Sequence, residues 1–275
     1  MAISEKIELL GKNLYTDIPS TLTLQAIPTA SELEYVSAED FDSVMLEKVL
    51  PEAVKEDINF NNLLELDYYW VLRCLRILNY GPYFTTSTIY CPDCGAVSNG
   101  EYRVNLESVE VKPIDETLTV NDIIIDRGNF ISFTDDVHIH LLTIKERMNA
   151  EKDNLFKDKD GNVNTELSRI CYMIKQVGTQ TGMTPFDVQL FIKQKLEPAD
   201  YLILKSKISE LVNDYGLRGG GQTTCPKCGS KEGTFIAYIN PRYFRPTLDD
   251  LKEWKLDRIE RRNNKDIPRT KEGKV

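Results

Sequence analysis

The sequence predicts an α+β protein in which a four-cysteine ribbon is interrupted by a mostly helical inserted domain and preceded by an extended N-terminal arm. Three observations lead to this reading. The pentapeptide Cys-Pro-x-Cys-Gly occurs twice, at 91–95 and at 225–229, each time beside stretches of strand character. The 130 residues between Cys94 and Cys225 carry four segments of helical pattern and several short β-patterns. The first 36 residues are irregular, with alternating runs such as Thr21-Leu-Thr-Leu-Gln-Ala-Ile27 bounded by Pro19 and Pro28.

The composition supports a real core. The chain has 275 residues, is 41% hydrophobic, and includes 13 Tyr and 10 Phe, enough for one large domain or two small ones. Six cysteines are too few for a disulfide-stapled scaffold of this length. The most apolar run, Tyr68 to Leu78, is interrupted by Arg73 and Arg76, so no stretch reads as a membrane span. The first residues carry no signal-peptide pattern, and the expectation is a soluble intracellular protein. The net charge of −9 is uneven: from Lys252 onward nine basic residues face five acidic ones, leaving −13 on the body. An acidic body repels phosphate, which argues against general nucleic-acid coating.

Taken in order, 1–36 reads as the extended arm, and 37–109 as helices plus the first cysteine turn. A helix is expected from Ser37, with Asp40 as its capping-box acid and Phe41, Val44, Met45 and Val49 at helical spacing. A second helix is marked by Leu64, Tyr68, Val71, Leu72, Leu75 and Leu78, and Gly81-Pro82 ends it. Its other face carries Glu65, Tyr69, Arg73, Arg76 and Tyr80 and is expected to be a contact surface. Strand patterns follow at 85–90 and 101–106. The segment 110–218 reads as the inserted domain, with β-patterns at 108–112, 117–125, 130–134 and 137–144. Its helices are expected near 144–156, 164–178, 185–196 and 199–215, the third started by Thr184, Pro185 and Asp187. The second cysteine turn occupies 219–246, with a strand from Thr234 to Ile239. A helix from Thr247, with Asp250 as its box acid, and a tail complete the chain.

The repeated pentapeptide is the spacing of a zinc knuckle. Two residues between the cysteines let both thiolates of one turn face a single tetrahedral ion about 2.3 Å away, and the trailing glycine permits the turn. Cys91, Cys94, Cys225 and Cys228 are therefore the expected ligands of one structural zinc ion. Two identical knuckles, each in a strand–turn–strand setting, make a four-sulfur ribbon, and four sulfur ligands leave no position for substrate or water. Closing so long a loop costs about 4 kcal/mol by the logarithmic rule, whereas a structural zinc supplies on the order of 10–16 kcal/mol. The cost shrinks if the ends of 110–218 lie close together. A thioredoxin-like redox pair is disfavoured, since it needs Cys-x-x-Cys at a helix N-terminus. Cys74 and Cys171 lie in helical patterns and read as core residues.

Other chemistries find little support. His138 and His140 share one strand face, so a metal pair is conceivable, but a half-exposed strand explains them as well. Asp158-Lys-Asp160-Gly161-Asn162 resembles a calcium loop, but aligning Gly161 with the turn glycine puts Phe156 first and Leu167 at the bidentate position. Gly219-Gly-Gly221 lacks the Gly-Lys-Ser/Thr of a P-loop. No set of residues supplies a nucleophile, a base and an orienter, so a non-enzyme is expected.

Several features in their order resemble a known family. They are Ile18-Pro-Ser20, then Ser37-Ala-Glu-Asp-Phe41, and then Leu66-Asp-Tyr-Tyr-Trp-Val-Leu-Arg-Cys-Leu-Arg76-Ile-Leu-Asn-Tyr-Gly81, followed by the two knuckles and Tyr243-Phe-Arg-Pro246. This resembles the baseplate proteins of T-even-type contractile-tailed bacteriophages, the hub subunits and hub-assembly proteins, most closely over 60–106. The resemblance implies a structural or assembly role in the tail baseplate, with other baseplate or hub proteins as partners and no membrane or small-molecule substrate. It places the protein in the host bacterial cytoplasm during assembly, with the virion tail baseplate as a further location. It brings no catalytic residues, and only the four knuckle cysteines transfer, as metal ligands. The alternative is a zinc-ribbon nucleic-acid-binding or transcription-associated module. Against it, Asp93, Glu101 and Glu107 balance Arg103, Lys227 and Lys231, leaving no basic face.

Overall fold

The computed structural model describes residues 4–28, 30, 31, 35, 38–91, 93–218, 222, 223, 225–230, 233, 234, 251, 252 and 255. The chain is a mixture of helices and small antiparallel sheets, as the α+β expectation requires. Among the described residues, no helix is long and apolar enough to cross a membrane.

The N-terminal segment differs from the expected arm. Strand β1 (Ser4–Glu8) pairs antiparallel with β2 (Thr21–Gln25), Ile7 opposite Leu22. The alternating run thus has its partner within the same segment, and Ile7, Leu22 and Leu24 are buried in the main core. Fully burying an aliphatic side chain is worth roughly 1.5–3 kcal/mol, so a free arm would forgo most of that. The next helix, α1, runs through Phe41–Val44, a stretch of wider turns at Met45–Val49, and Leu50–Ala53. Its cap is Asp40, whose carboxylate accepts from Ser43 N at 3.2 Å; the expected start at Ser37 lies outside the described residues.

Helix α2 (Glu65–Tyr80) follows the predicted stripe, and Tyr68, Val71, Leu72 and Leu75 are fully buried. Its polar face is not the open surface expected from the sequence. Arg76 is fully buried and donates to Gly81 O and Tyr83 O, each at 2.7 Å. Arg73 is also buried; its Nε and Nη2 donate to Leu106 O at 2.9 and 2.5 Å. These carbonyls lie at the feet of β3 (Tyr83–Tyr90) and β4 (Val97–Asn105), which form a hairpin. Only Gly81-Pro82 separates α2 from β3, so the hairpin foot sits against the last turn of the helix. Its buried carbonyls need donors there, and the two arginines provide them. Further along the same face, Arg147 bonds Tyr69 Oη (2.5 Å), Asp42 (3.0 Å) and Glu151 (2.8 Å), while Arg169 bonds Glu65 (2.5 Å). Tyr80 meets the hydroxyl of Tyr35 at 2.8 Å.

A four-stranded antiparallel sheet forms the second core. Its order is β6 (Ile123–Ile125), β7 (Val137–Ile139), β8 (Ile174–Val177) and β9 (Gln180–Thr181). Around it lie α3 (Ile144–Lys152), α4 (Thr165–Met173), α5 (Pro185–Lys195) and α6 (Pro198–Asp214). Ile125, Val137, Ile139 and Val177 pack with Ile170, Val188, Phe191 and Leu204. The helix expected over 164–178 stops at Met173 because the residues after it pair with β7, where β-branched side chains pack well. The strand expected at 130–134 is instead a loop: the buried Asp200, in the first turn of α6, accepts from the backbone N–H groups of Ile131, Ser132 and Phe133. Thr143 and Thr184 each complete a capping box, at the starts of α3 and α5.

Strand β5 (Glu110–Lys112) pairs antiparallel with β10 (Gly216–Arg218), so the two ends of the 110–218 segment lie side by side. Apart from Thr234, Leu251, Lys252 and Lys255, the expected strand at 234–239, the helix from Thr247 and the basic tail lie outside the described residues.

Asp67, fully buried on α2, accepts from Leu10 N (2.6 Å), Gly11 N (3.1 Å) and Tyr15 Oη (2.7 Å), tying the loop after β1 to the helix. Burial raises its carboxyl to about 6 despite these three donors. A folded-state value above the unfolded one means that the native chain holds the proton more tightly. The contribution of Asp67 to stability is therefore largest below about pH 4 and falls as pH rises to about 6. The stability difference between the wild type and Asp67→Asn should shift against the wild type by on the order of 3 kcal/mol between pH 4 and 7, measured by urea denaturation. A difference that stays flat over that range would contradict this account.

Candidate metal centre

The two knuckles repeat one backbone pattern. Cys91 N bonds Ala96 O at 2.9 Å and Gly95 N bonds Cys91 O at 2.9 Å; Cys225 N bonds Ser230 O at 2.7 Å and Gly229 N bonds Cys225 O at 2.9 Å. Gly95 and Gly229 sit at φ +65° and +74°, a left-handed conformation that costs glycine nothing and a side-chain-bearing residue roughly 1 kcal/mol or more. That is the physical reason for the glycine at the end of each pentapeptide. The first knuckle caps the β3–β4 hairpin. The second lies between β11 (Gln222–Thr223) and β12 (Gly233–Thr234), which pair with each other and lie against β4 and β3 respectively. Ser230 Oγ donates to the Asp93 carboxylate across the junction.

This arrangement brings the four predicted ligands together. Cys91 Sγ is 3.7 Å from Cys228 Sγ, Cys94 Sγ is 3.9 Å from Cys225 Sγ, and all four sulfurs lie within 4.8 Å of one another. Sulfurs placed tetrahedrally at about 2.3 Å from a common centre would be about 3.8 Å apart. The four residues therefore fit one tetrahedral metal ion. Cys91 and Cys225 are buried, while Cys94 and Cys228 are exposed, so one side of the site faces solvent.

The four thiols differ in their electrostatics. The backbone N–H groups of Cys228 and Lys227 point at Cys225 and draw its thiol down to about 7. Cys228 receives the N–H of Ser230, yet desolvation and the neighbouring thiols of Cys225, Cys94 and Cys91 together outweigh it and push Cys228 up to about 12. The group thus has one sulfur ready to ionise and another held protonated by desolvation and its neighbours. A divalent ion among them removes that conflict and displaces the remaining protons.

The other sequence candidates fall elsewhere. Cys74 and Cys171 are buried core residues whose thiols burial pushes up to about 12. His138 Nδ1 lies 3.1 Å from Asp122 Oδ1, whereas the buried His140 places Nδ1 2.8 Å from Met173 O and Nε2 3.2 Å from Glu146. The two rings have separate partners and do not converge on a metal position. Asp158 accepts from Asp160 N and Asn162 N and closes a turn. Sequence reasoning missed the braces formed by Arg73 and Arg76; two arginines three positions apart, just before a Gly-Pro helix end, are the signal that marks them.

No family model, curated protein or solved structure matches the chain.

Purified protein should carry close to one metal ion per chain by elemental analysis. Cys94→Ser/Cys228→Ser should reduce this below a tenth, and Cys171→Ala should leave it unchanged. A metal-free wild type, or metal retained by the double variant, would sink the assignment.

Proposed function

We propose that the ion is zinc, that its role is structural, and that the protein is a structural or assembly component of a contractile phage tail baseplate, in or near its hub. The observation that carries the structural role is the convergence of four cysteine sulfurs on one point. Such a set fills a tetrahedral ion's coordination sphere, leaving no position at which water or a substrate could be activated. The protein then works through its surfaces. On this reading the two knuckles are halves of one zinc ribbon, and 110–218 is a domain inserted between them; the pairing of β5 with β10 supports that, since it brings the ends of the segment together.

The baseplate reading rests on the sequence resemblance. Its most telling part, 60–106, coincides with the unit formed by α2, the Arg76–Gly81 contact and the β3–β4 hairpin, so that motif has a physical content of its own. Partners are other baseplate or hub proteins, met in the host cytoplasm during assembly. An acidic body of −13 suits protein contacts better than phosphate contacts.

The test is a nonsense mutation in this gene within its phage. Infected cells should accumulate heads and lack complete baseplates in electron micrographs, and a plasmid copy should restore them. Normal baseplates in the mutant would overturn the proposal. Tight, salt-sensitive DNA binding by the purified protein near about 150 mM salt would favour the nucleic-acid module instead.

A further inference from the structure

We infer that His140 is held in the folded chain as a buried imidazolium and acts as a pH-dependent latch, fastening the start of α3 to the end of α4. The inference does not depend on the metal centre.

The surroundings of the ring carry it. The side chain is 2% exposed, and both of its nitrogens face oxygens: Nδ1 lies 2.8 Å from Met173 O and Nε2 3.2 Å from Glu146 Oε1. A carbonyl oxygen can only accept, so Nδ1 carries a hydrogen. A neutral ring has one N–H, and its other nitrogen would then turn a lone pair toward Glu146. That group is favoured as the carboxylate, because Oε2 receives Thr143 N at 2.9 Å and Thr143 Oγ1 at 3.1 Å. Lone pairs facing each other in a buried contact repel. A second hydrogen on the ring turns the same contact into a charge-assisted bond. The flanking helices favour this state as well. Met173 is the last residue of α4, where the helix dipole favours a cation, and Glu146 stands in the first turn of α3, where it favours an anion. Desolvation works against ionisation of Glu146, yet the donors from His140 and Thr143 and the charges of His140 and Lys175 outweigh it and hold its carboxyl down to about 2. Tyr172, on α4, also faces Glu146 but gives its hydroxyl hydrogen to Asp153 at 3.1 Å, and His138 has its own carboxylate in Asp122.

The latch sits where the two large cores meet. Leu142 O accepts from Glu65 N at 2.9 Å and Ile144 N donates to Leu63 O at 2.8 Å. Ile144 lies in the first core, and Ile139 and Leu142 lie in the second. Loss of the second ring hydrogen breaks the bond to Glu146, the residue that completes the capping box of α3. The folded chain holds this proton more tightly than the unfolded one. Its contribution to stability is therefore full below about pH 6.5, the ordinary histidine value, and is lost as pH rises through the point at which the folded ring gives it up. Glu146 is partly exposed, which gives the proton a route to solvent.

The chain has two histidines, so nitrogen NMR of the full protein labelled at histidine reads the ring directly, with His138→Gln to assign the signals. At about pH 7.5 both ring nitrogens of His140 should carry hydrogen; a nitrogen with a free lone pair at that pH would overturn the imidazolium. In Glu146→Gln, which keeps the capping box, the second hydrogen should leave at a pH lower by about one unit or more. An unchanged titration there would show that the carboxylate does not hold the proton, and the latch would fall. Hydrogen exchange reads the fastening. As pH rises through the ring's titration, the amides of Glu146 and Arg147 should speed up about tenfold beyond the general increase that β8 follows. An equal increase at both places would also overturn the latch.

Discussion

Four sulfur atoms within 4.8 Å of one another impose a constraint that much of the surrounding structure serves. As thiols they pack without difficulty; as thiolates they repel strongly unless a cation sits among them. The knuckle geometry prepares for the ionised state by turning backbone N–H groups toward sulfur, as at Cys225. Tight turns ending in Gly95 and Gly229 make that possible. One ion of charge +2 at the centre would resolve the conflict.

The distance along the chain between the two pairs is the second constraint. Cys94 and Cys225 are 131 positions apart, and closing a loop of that size in a flexible chain costs about 4 kcal/mol. The pairing of β5 with β10 changes this, because 110–218 then drops out of the loop and only the stretches from Cys94 to Glu110 and from Arg218 to Cys225 remain. By the same logarithmic rule, a loop of about 23 positions costs roughly 1–2 kcal/mol less. On the other side, Arg73 and Arg76 anchor the hairpin that presents the first knuckle. Removing Arg76 would take that donor from the carbonyls of Gly81 and Tyr83, at about 1–3 kcal/mol for each, whereas Leu106 O, the acceptor for Arg73, also receives the N–H of Val109. Both sets of bonds are independent of the cysteine sulfurs.

Much of the arrangement was legible in the residues, for identifiable reasons. The four ligands were readable because a metal site requires particular atoms at particular spacings, and the repeat of Cys-Pro-x-Cys-Gly states both. Helix α2 was readable because its stripe from Tyr68 to Leu75 has a single periodicity ended by Gly81. The capping box at Thr184 is a local motif and needs no tertiary knowledge. What was illegible depended on distant partners. The run from Thr21 to Gln25 looked like an arm because its partner, Ser4–Glu8, is a short strand with a weak pattern. Arg73 and Arg76 looked like surface residues because charge usually marks solvent, whereas here backbone carbonyls at Gly81, Tyr83 and Leu106 call for donors. The helical pattern over 164–178 outlasts the helix because tertiary pairing with β7 overrides local preference after Met173.

Zinc K-edge X-ray absorption on the purified protein tests the central claim most directly, since it counts the donors around the metal. The account predicts a shell of four sulfurs at about 2.3 Å and no nitrogen or oxygen donor. A shell containing a light-atom donor, or fewer than four sulfurs, would contradict it.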